Sequence, residues 1–432
     1  MLAPYFDFLR GLSTQEFIRI FWFFFVFELP RYIVMDYMGI FAHYLHRRSQ
    51  GDARAEARRN LFLENPLVSI IVPGKDEGDN FHQLARTLQE QTYQHYELIV
   101  VDDGSEDDSA LIGRNLAEQG AIDVFLRNEV RGGKASAANL CLRYADGKYV
   151  VHLDADCSLD RDALERLLTP FYLDEKIGAV GGSLGARNAS TNLCTLLQSI
   201  EYYLVISVGR LVASSLGILR IVSGAMGAFR RDVLAQVGGW DVGPGLDGDL
   251  TVKIRKAGYR VAFDPNANAL TDVPPSFAAL AKQRLRWQRS LVRFRLRKHL
   301  NVFRADANFT LSNFLSFLEN IFFNLILNIL WYIYIFDILL NFTDYIFFVI
   351  ITNFFIYTAA KYVEFGALLM LARRQREKLY LLPFIPLMVL YTGYFIRFVR
   401  TAAYFTEFFF KSSYKDPWNP PKTSRKAEEY GL

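Results

Sequence analysis

The chain has 432 residues, 51% of them hydrophobic, with 37 Phe, 23 Tyr and a formal net charge of +4. That length points to two or three units rather than one, and so small a charge does not imply a nucleic-acid partner. The three cysteines, Cys141, Cys157 and Cys194, have no CxxC spacing, which argues against a disulfide framework or a zinc site and fits a reducing, cytosolic setting for the soluble part.

The N-terminus shows no basic n-region and no small-residue cleavage site, so no cleaved signal peptide is expected. The first apolar stretch runs from Phe17 to about Leu45 and is interrupted by Glu28, Pro30, Arg31 and Asp36. Charges are costly in lipid, so these should face protein or water. One kinked span, or a short span followed by an interfacial helix, fits the pattern. His46-Arg47-Arg48 and then Arg54, Arg58 and Arg59 follow, which places this end in the cytosol by the positive-inside rule.

From Pro66 the pattern becomes that of an α/β protein. Leu67–Pro73 is a continuous β-branched run, as expected of a parallel strand buried on both faces. Helices are predicted at Phe81–Gln91, Ser109–Gln119 and Lys134–Tyr144, alternating with strands at Tyr96–Val101, Asp123–Leu126 and Tyr149–Leu153. Alternation of this kind indicates a wound sheet, in which ligands bind beyond the carboxyl ends of strands. Ile177–Gly182 reads as a further strand. Leu193–Leu219 reads as an apolar interfacial helix too polar to span, and Ile221–Phe229 as strand and tight turn around Ser223-Gly224-Ala225. A helix is predicted over Leu250–Ala257, and a basic amphipathic helix over 278–299.

The last region separates into apolar segments at about 311–340, 344–371 and 380–410, as expected of membrane spans. The basic stretch Arg373-Arg374-Gln375-Arg376-Glu377-Lys378 between the last two should be cytosolic. Three full crossings would then put the basic tail (Lys411, Lys415, Lys422, Arg425, Lys426) on the far side. A re-entrant last segment, or an interfacial 311–340 piece, removes that conflict.

Several polar groups fall at strand or helix ends. Asp103 follows the second strand, and Asp154 and Asp156 follow Tyr149–Leu153. Two carboxylates two residues apart on extended chain point to the same side. Such a pair is either a solvated turn or a site holding a divalent cation through oxygen while leaving positions open for phosphate. Asp247 and Asp249 lie at a helix start, where Asp249 reads as an N-terminal cap or as an alternative to Asp247 in acid–base work. Gln283, Arg286 and Trp287 lie on the basic helix, whose arginines can face substrate or anionic lipid. Asn313, Asn320, Asn324 and Asn328 fall near one helical face. They can bond neighbouring helices or present amides to a polar solute passing between them. Lys361, Glu364, Arg397 and Arg400 are intramembrane charges and therefore functional candidates.

The ordered set Asp102-Asp103-Gly104, Asp154-Ala155-Asp156, Asp247 and Gln283-x-x-Arg286-Trp287 resembles the processive family-two glycosyltransferases. These are the membrane synthases of cellulose, mixed-linkage glucan, poly-N-acetylglucosamine, chitin oligomers and hyaluronan. The resemblance covers about residues 66–300. It implies a GT-A-type α/β domain with a Rossmann-like mixed sheet, set between α-helical transmembrane segments with amphipathic interfacial helices.

It also implies a division into an N-terminal transmembrane or interfacial segment (1–48), a linker (49–65), a cytosolic catalytic domain (66–277) and an interfacial helix bearing the Gln-Arg-Leu-Arg-Trp motif (278–308). C-terminal transmembrane helices (309–411) and a polar tail (412–432) complete it. The implied activity is inverting, processive transfer from a UDP-sugar to the growing end of a β-linked polysaccharide, coupled to its secretion. A single-transfer lipid glycosyltransferase of the ceramide type is the alternative.

By the same resemblance Asp247 is the general base, although the usual Thr-Glu-Asp here reads Gly245-Leu246-Asp247. Asp103 contacts the uracil ring, and Lys134 lies near the donor. Asp156, with Asp154, holds Mg²⁺ or Mn²⁺, and Asp154 also faces the nucleotide. Gln283 and Arg286 engage the diphosphate, and Trp287, Ser223 and Gly224 line the acceptor end. The implied partners are a UDP-sugar, a growing glycan, the bilayer of the cell (inner or plasma) membrane, and export or accessory subunits, with no nucleic acid.

Overall fold

The computed structural model describes residues 2–243, 245–304, 310–372, 375–416 and 419–430. The expected basic pair Arg373-Arg374 and Pro244 of the glycine loop lie outside the described residues.

Eight strands form one sheet: β1 (Val68–Gly74), β2 (Tyr96–Asp102), β3 (Val124–Arg127), β4 (Tyr149–Leu153), β5 (Ser158–Leu159), β6 (Ile177–Ala186), β7 (Met226–Arg230) and β8 (Arg260–Thr271). Their spatial order is β3-β2-β1-β4-β7-β6-β8-β5. The first four strands run parallel, whereas β7 is antiparallel to both β4 and β6. The sheet is therefore mixed. Val68, Ile70, Ile71 and Val72 of β1 are fully buried, as a β-branched strand covered by helices on both faces must be.

Register brings the polar groups together. Gly74 lies opposite Asp102, and Ile71 opposite His152, so β1, β2 and β4 run out on one edge. Because β7 is antiparallel and Met226 faces Leu153, the loop Ser223–Ala225 enters the sheet on that same edge. Strand β8 has no periodic signature and carries Pro265, Asn266 and Asn268, all poor strand formers. Its long pairing with β6 overrides that local preference.

The apolar stretch expected at the interface is a 23-residue helix, Leu193–Ser215, long and apolar enough to cross a membrane by length and composition. Leu197, Ile200, Leu204, Val208 and Val212 pack instead with Ile40, Phe365, Leu368 and Leu381. The helix thus forms the seam between the sheet domain and the apolar helices. Two further helices, Leu311–Asn341 and Thr343–Leu371, pass the same test, and Arg376–Phe384 with Leu387–Phe410 passes as a pair bent by 66°.

The interrupting charges near the N-terminus face protein, as their cost in lipid requires. Glu28 accepts from Arg397 Nη2 at 3.1 Å, and Arg31 pairs with Glu319 at 3.0 Å and Asp36 at 3.4 Å. Lys361 pairs with Glu364 at 2.7 Å. The asparagines differ in their surroundings. Asn313 accepts from Arg255 Nε at 2.8 Å, and Asn328 donates to Thr401 Oγ1 at 2.8 Å, whereas Asn320 and Asn324 line the central cavity.

The tail folds back onto the sheet domain. Helix Pro421–Glu429 begins beside the loop before Lys134, and Thr423 Oγ1 donates to the Gly132 carbonyl at 3.3 Å. The last apolar segment touches catalytic-side elements near both ends. Lys378 Nζ bonds the Tyr203 hydroxyl, and Glu407 accepts from Arg297 at 2.7 Å.

Candidate active site

One cavity of about 1550 Å³ opens at the carboxyl edge of the sheet and continues between the apolar helices. Asp103, Lys134, Asp154, Asp156, Ser223, Asp247, Gln283, Arg286 and Trp287 all line it. Residues far apart in sequence meet there because strand ends, one antiparallel entry loop and one helix start share an edge.

Asp103 is buried and fully engaged by the adjacent glycine loop. Its Oδ1 accepts from Gly132 N at 2.8 Å and Asn128 Nδ2 at 2.9 Å, and its Oδ2 from Gly133 N at 2.7 Å. It therefore shapes the loop that leads into helix Lys134–Tyr144. Lys134, at the start of that helix, donates to Asp154 Oδ1 at 2.5 Å. Burial would lower the Lys134 pKa, but Asp154 and then Asp247 outweigh it, and the ammonium is stabilised. Burial likewise opposes the charge on Asp154, but Lys134 holds its pKa below the ordinary carboxylate value.

Asp156 behaves differently. Burial and the neighbouring Asp154 push its pKa up, against a hydrogen bond at 2.6 Å from Thr271 Oγ1. The main-chain oxygen of Asp156 accepts from Arg187. Asp156, left electrostatically unsatisfied in this way two residues from Asp154, offers with it the hard oxygens that suit Mg²⁺ or Mn²⁺. Among the described residues no group of three or more His, Cys, Asp and Glu side chains forms a metal cage, so other ligands, such as diphosphate oxygens, would have to complete the shell.

Asp247 lies in the first turn of helix Leu246–Lys256, which starts at Gly245 with φ +76°. A side chain there would be strained, and its Cβ would lie 2.3 Å from Ser290 Cβ. Asp247 Oδ2 accepts from the Gly224 amide at 2.8 Å, while Oδ1 is buried with no hydrogen-bond partner. The carboxylate is thus held by one oxygen and presents the other. A methyl group on Gly224 would approach Asp247 Oδ1 to 2.5 Å, so glycine is what lets the backbone come this close. His152, at 0% exposure, bonds the Gly224 carbonyl from below.

Asp249 is neither a cap nor a second base. It is fully buried, accepting from Lys298 Nζ at 2.8 Å and from His299 Nε2 at 2.6 Å. Despite burial, these partners hold its pKa below the carboxylate range, while burial keeps His299 neutral. This cluster ties the Asp247 helix to the basic segment that follows Trp287.

Helix Phe277–Ser290 is capped by Ser276, whose side chain accepts from Ala279 N. Its arginines do not form a lipid-facing stripe. Arg284 is 2% exposed, stacks over the Trp287 ring at 4.2 Å and donates to Glu201 Oε2 at 2.8 Å. Arg293 and Arg295 are also buried, and Arg297 pairs with Glu407. A buried guanidinium needs a partner, and Arg284, Arg293 and Arg297 find theirs inside the protein. Burial lowers the pKa of Arg286, against the fields of Asp416 and Asp154.

Two contributors are absent from the motif reading. Glu77, just beyond β1, lines the cavity. Its pKa is raised to about 7 by burial, against an Asn80 hydrogen bond, with Asp156 and Asp154 adding to the rise. Its strand-end position is the signal that could have found it. Arg284 occupies a variable position of the Gln-x-x-Arg-Trp pattern, and its role depends on Glu201, far away in sequence.

Residues 69–238 match the family described as Glycosyl transferase family 2. Over 222 residues the chain is 30% identical to the poly-beta-1,6-N-acetyl-D-glucosamine synthase of Staphylococcus aureus strain MSSA476, covering 51% of this chain and 53% of the relative. It is 31% identical over the same share to the enzyme of that name from Staphylococcus epidermidis. The chain thus spans about half the length of the curated relatives it matches. Among solved structures, the mannosyltransferase of Pyrobaculum calidifontis in complex with GDP-mannose and Mn²⁺ superposes with a TM-score of 0.54 at 22% identity. That match covers 87% of this chain and 99% of the other. Residues 69–238 therefore match a family-two glycosyltransferase domain, in a chain of GT-A-like fold that is similar in sequence to the poly-β-1,6-N-acetylglucosamine synthases.

Proposed function

We propose that this protein transfers a sugar from a UDP-sugar, with inversion, to the end of a growing β-linked polysaccharide at the cytosolic face of the cell membrane. The observation that carries the reading is Asp247. One oxygen is pinned by the Gly224 amide, and the other is buried without a partner on the cavity that also holds Asp154 and Asp156. A carboxylate presented in this way can take the acceptor hydroxyl's proton as that hydroxyl attacks the anomeric carbon. Trp287, fixed from behind by Arg284, offers an apolar face for the acceptor sugar, with Ser223 and Gly224 beside it. Arg286 and Gln283 meet the diphosphate, and Lys134 keeps Asp154 ionised next to it. A Mg²⁺ or Mn²⁺ held by Asp156 and Asp154 would supply Lewis-acid neutralisation of the leaving diphosphate. Asp103 acts on the nucleotide by holding the glycine loop in place.

Continuation of the cavity past Asn320 and Asn324 into the apolar helices supports outward passage of the product and repeated addition. The docked tail and the catalytic domain share one side, which favours a re-entrant last segment over a full crossing. The test is incubation of the purified full-length protein with labelled UDP-glucose or UDP-N-acetylglucosamine and Mg²⁺ or Mn²⁺, followed by product sizing and linkage-specific digestion. A metal-dependent polymer abolished by Asp247→Asn is expected. No transfer from either donor, or full activity in Asp247→Asn, overturns the reading.

A further inference from the structure

On the membrane side of Asp247 the cavity wall is strongly cationic. Arg210, Arg220 and Arg295 all line it. Arg220 lies within electrostatic reach of the other two, and Asp247 within reach of Arg210. One carboxylate, Glu319, forms an ion pair with the group. It pairs with Arg220 Nη1 at 3.1 Å and is shared with Arg31 at 3.0 Å.

The other two guanidinium groups make no ion pair among the described residues. Arg210 has no hydrogen-bond or ion-pair partner among the described residues, and its Nη1 is buried. Arg295 is 6% exposed and donates from Nη2 to the Arg220 carbonyl at 3.3 Å, but its Nη1 is buried and unpartnered. Burial, then the Arg220 charge, brings the Arg295 pKa down to about 9. Unsatisfied buried N–H groups on clustered like charges are costly. They persist at functional sites where a ligand completes them.

Two further observations narrow the ligand. The guanidinium fork matches phosphate oxygens in bidentate geometry, which a sugar hydroxyl does not. The same cavity is also lined, deeper among the apolar helices, by Ile335, Ile338, Leu339, Ile346, Ile350 and Phe354. That part of the lining suits a hydrocarbon chain, while Asn320 and Asn324 line the same cavity with groups suited to a glycan. Glu319 lies on the first turns of the helix that runs from Leu311 to Asn341, so the arginines sit where the catalytic domain meets the apolar layer, the level of lipid headgroups.

We propose that Arg210, Arg220 and Arg295 form a phosphate subsite beside the catalytic base, holding the phosphate ester of a lipid-borne primer on which the first sugars are added. This rests on the glycosyltransferase reading of the Asp247 site and names the acceptor that site receives at initiation. As the glycan lengthens from its free end, the phosphate leaves the subsite, so the arginines act on initiation and not on elongation.

The experiment has a binding arm and a transfer arm, both on the full-length protein in non-ionic detergent. In the first, hexadecyl phosphate is titrated against wild type, Arg210→Gln and Arg295→Gln, with hexadecanol as the uncharged control. Saturable binding of the phosphate only, weakened at least tenfold in both variants and partly restored in Arg295→Lys, is expected. Circular dichroism melting and UDP binding identify any variant that has merely unfolded.

In the second arm, sugar transfer from the active UDP-sugar is compared between hexadecyl phospho-N-acetylglucosamine and a soluble N-acetylglucosamine oligomer. The phosphate primer should have a KM at least tenfold lower, an advantage lost in both variants, while kcat on the oligomer changes little in Arg295→Gln. Saturable phosphate binding without any preference in transfer would assign the subsite to a bilayer phospholipid headgroup and overturn the primer proposal. No arginine-dependent binding overturns the subsite itself. Absence of transfer to either acceptor would refute the glycosyltransferase reading, leaving the binding arm to decide the subsite independently.

Discussion

Replacement of Gly224 by alanine tests the placement of the base without touching any titrating group. Gly224 has no positive φ, so alanine suits the backbone there. The new methyl would lie 2.5 Å from Asp247 Oδ1, where ordinary contact begins at 3.4 Å. Either the carboxylate or the Ser223–Ala225 loop must yield by about 0.9 Å, and a misplacement of about 1 Å at a reacting group can cost on the order of a hundredfold in rate. The Gly224 amide bond to Asp247, at 2.8 Å, would be strained as well. A hydrogen bond to a charged group contributes about 1.5–3 kcal/mol, or roughly ten- to a hundredfold in rate if lost only in the transition state. We expect Gly224→Ala to lower kcat by about thirty- to a hundredfold with the KM for the UDP-sugar nearly unchanged. Steady-state transfer assays with varied donor, alongside calorimetric UDP binding, measure both. A kcat within about threefold of wild type, or a loss confined to UDP affinity, would refute the close approach of this loop to the base.

Four further outcomes follow from the geometry. Asp247→Asn removes the proton acceptor proposed for the acceptor hydroxyl and should reduce transfer by about a hundred- to ten-thousandfold, with UDP binding and the melting temperature retained. Asp156→Ala should raise the Mn²⁺ concentration required for half-maximal activity by at least about tenfold, read from metal titrations of the purified enzyme. Arg284→Met leaves the half-buried Glu201 with the Tyr391 hydroxyl, which donates to it at 2.6 Å, as its one remaining partner among the described residues. Breaking such a pair costs about 3–5 kcal/mol, and Glu201→Gln in the same chain should recover much of the lost thermal stability. Finally, the Asp249 pKa lies below its unfolded value, which is about 3.9. Its contribution is thus fully present above that pH and lost as pH falls through the lower folded value. Melting curves from pH 7 down to 3 should show a steeper acid loss in wild type than in Asp249→Asn, which starts less stable.

The alternating runs of β-branched and helical residues from Leu67 to Leu153 already specify a wound sheet, because buried parallel strands need continuous apolar faces. They also place Asp103, Asp154 and Asp156 at strand ends, where such sheets bind ligands. Helix Lys134–Tyr144 and strand Tyr149–Leu153 are observed with the predicted limits. Long-range pairing is not written locally. Strand β8, with its proline and asparagines, exists only because β6 offers it a partner. The antiparallel entry of β7, which brings Gly224 to Asp247, follows from sheet order rather than from any motif. The same limit explains the arginines of the basic helix. Helical spacing assigns them a face but not what covers it, and burial against Glu201 and Glu407 turned an expected lipid-facing stripe into internal anchors. Asp249 reads locally as a cap, yet Lys298 and His299 reach it only through the tertiary fold. Composition alone shows that charges such as Arg31 and Arg397 must avoid lipid. Which partners they take, and that Arg210 and Arg295 are left facing a shared cavity, was decided by packing between elements hundreds of residues apart.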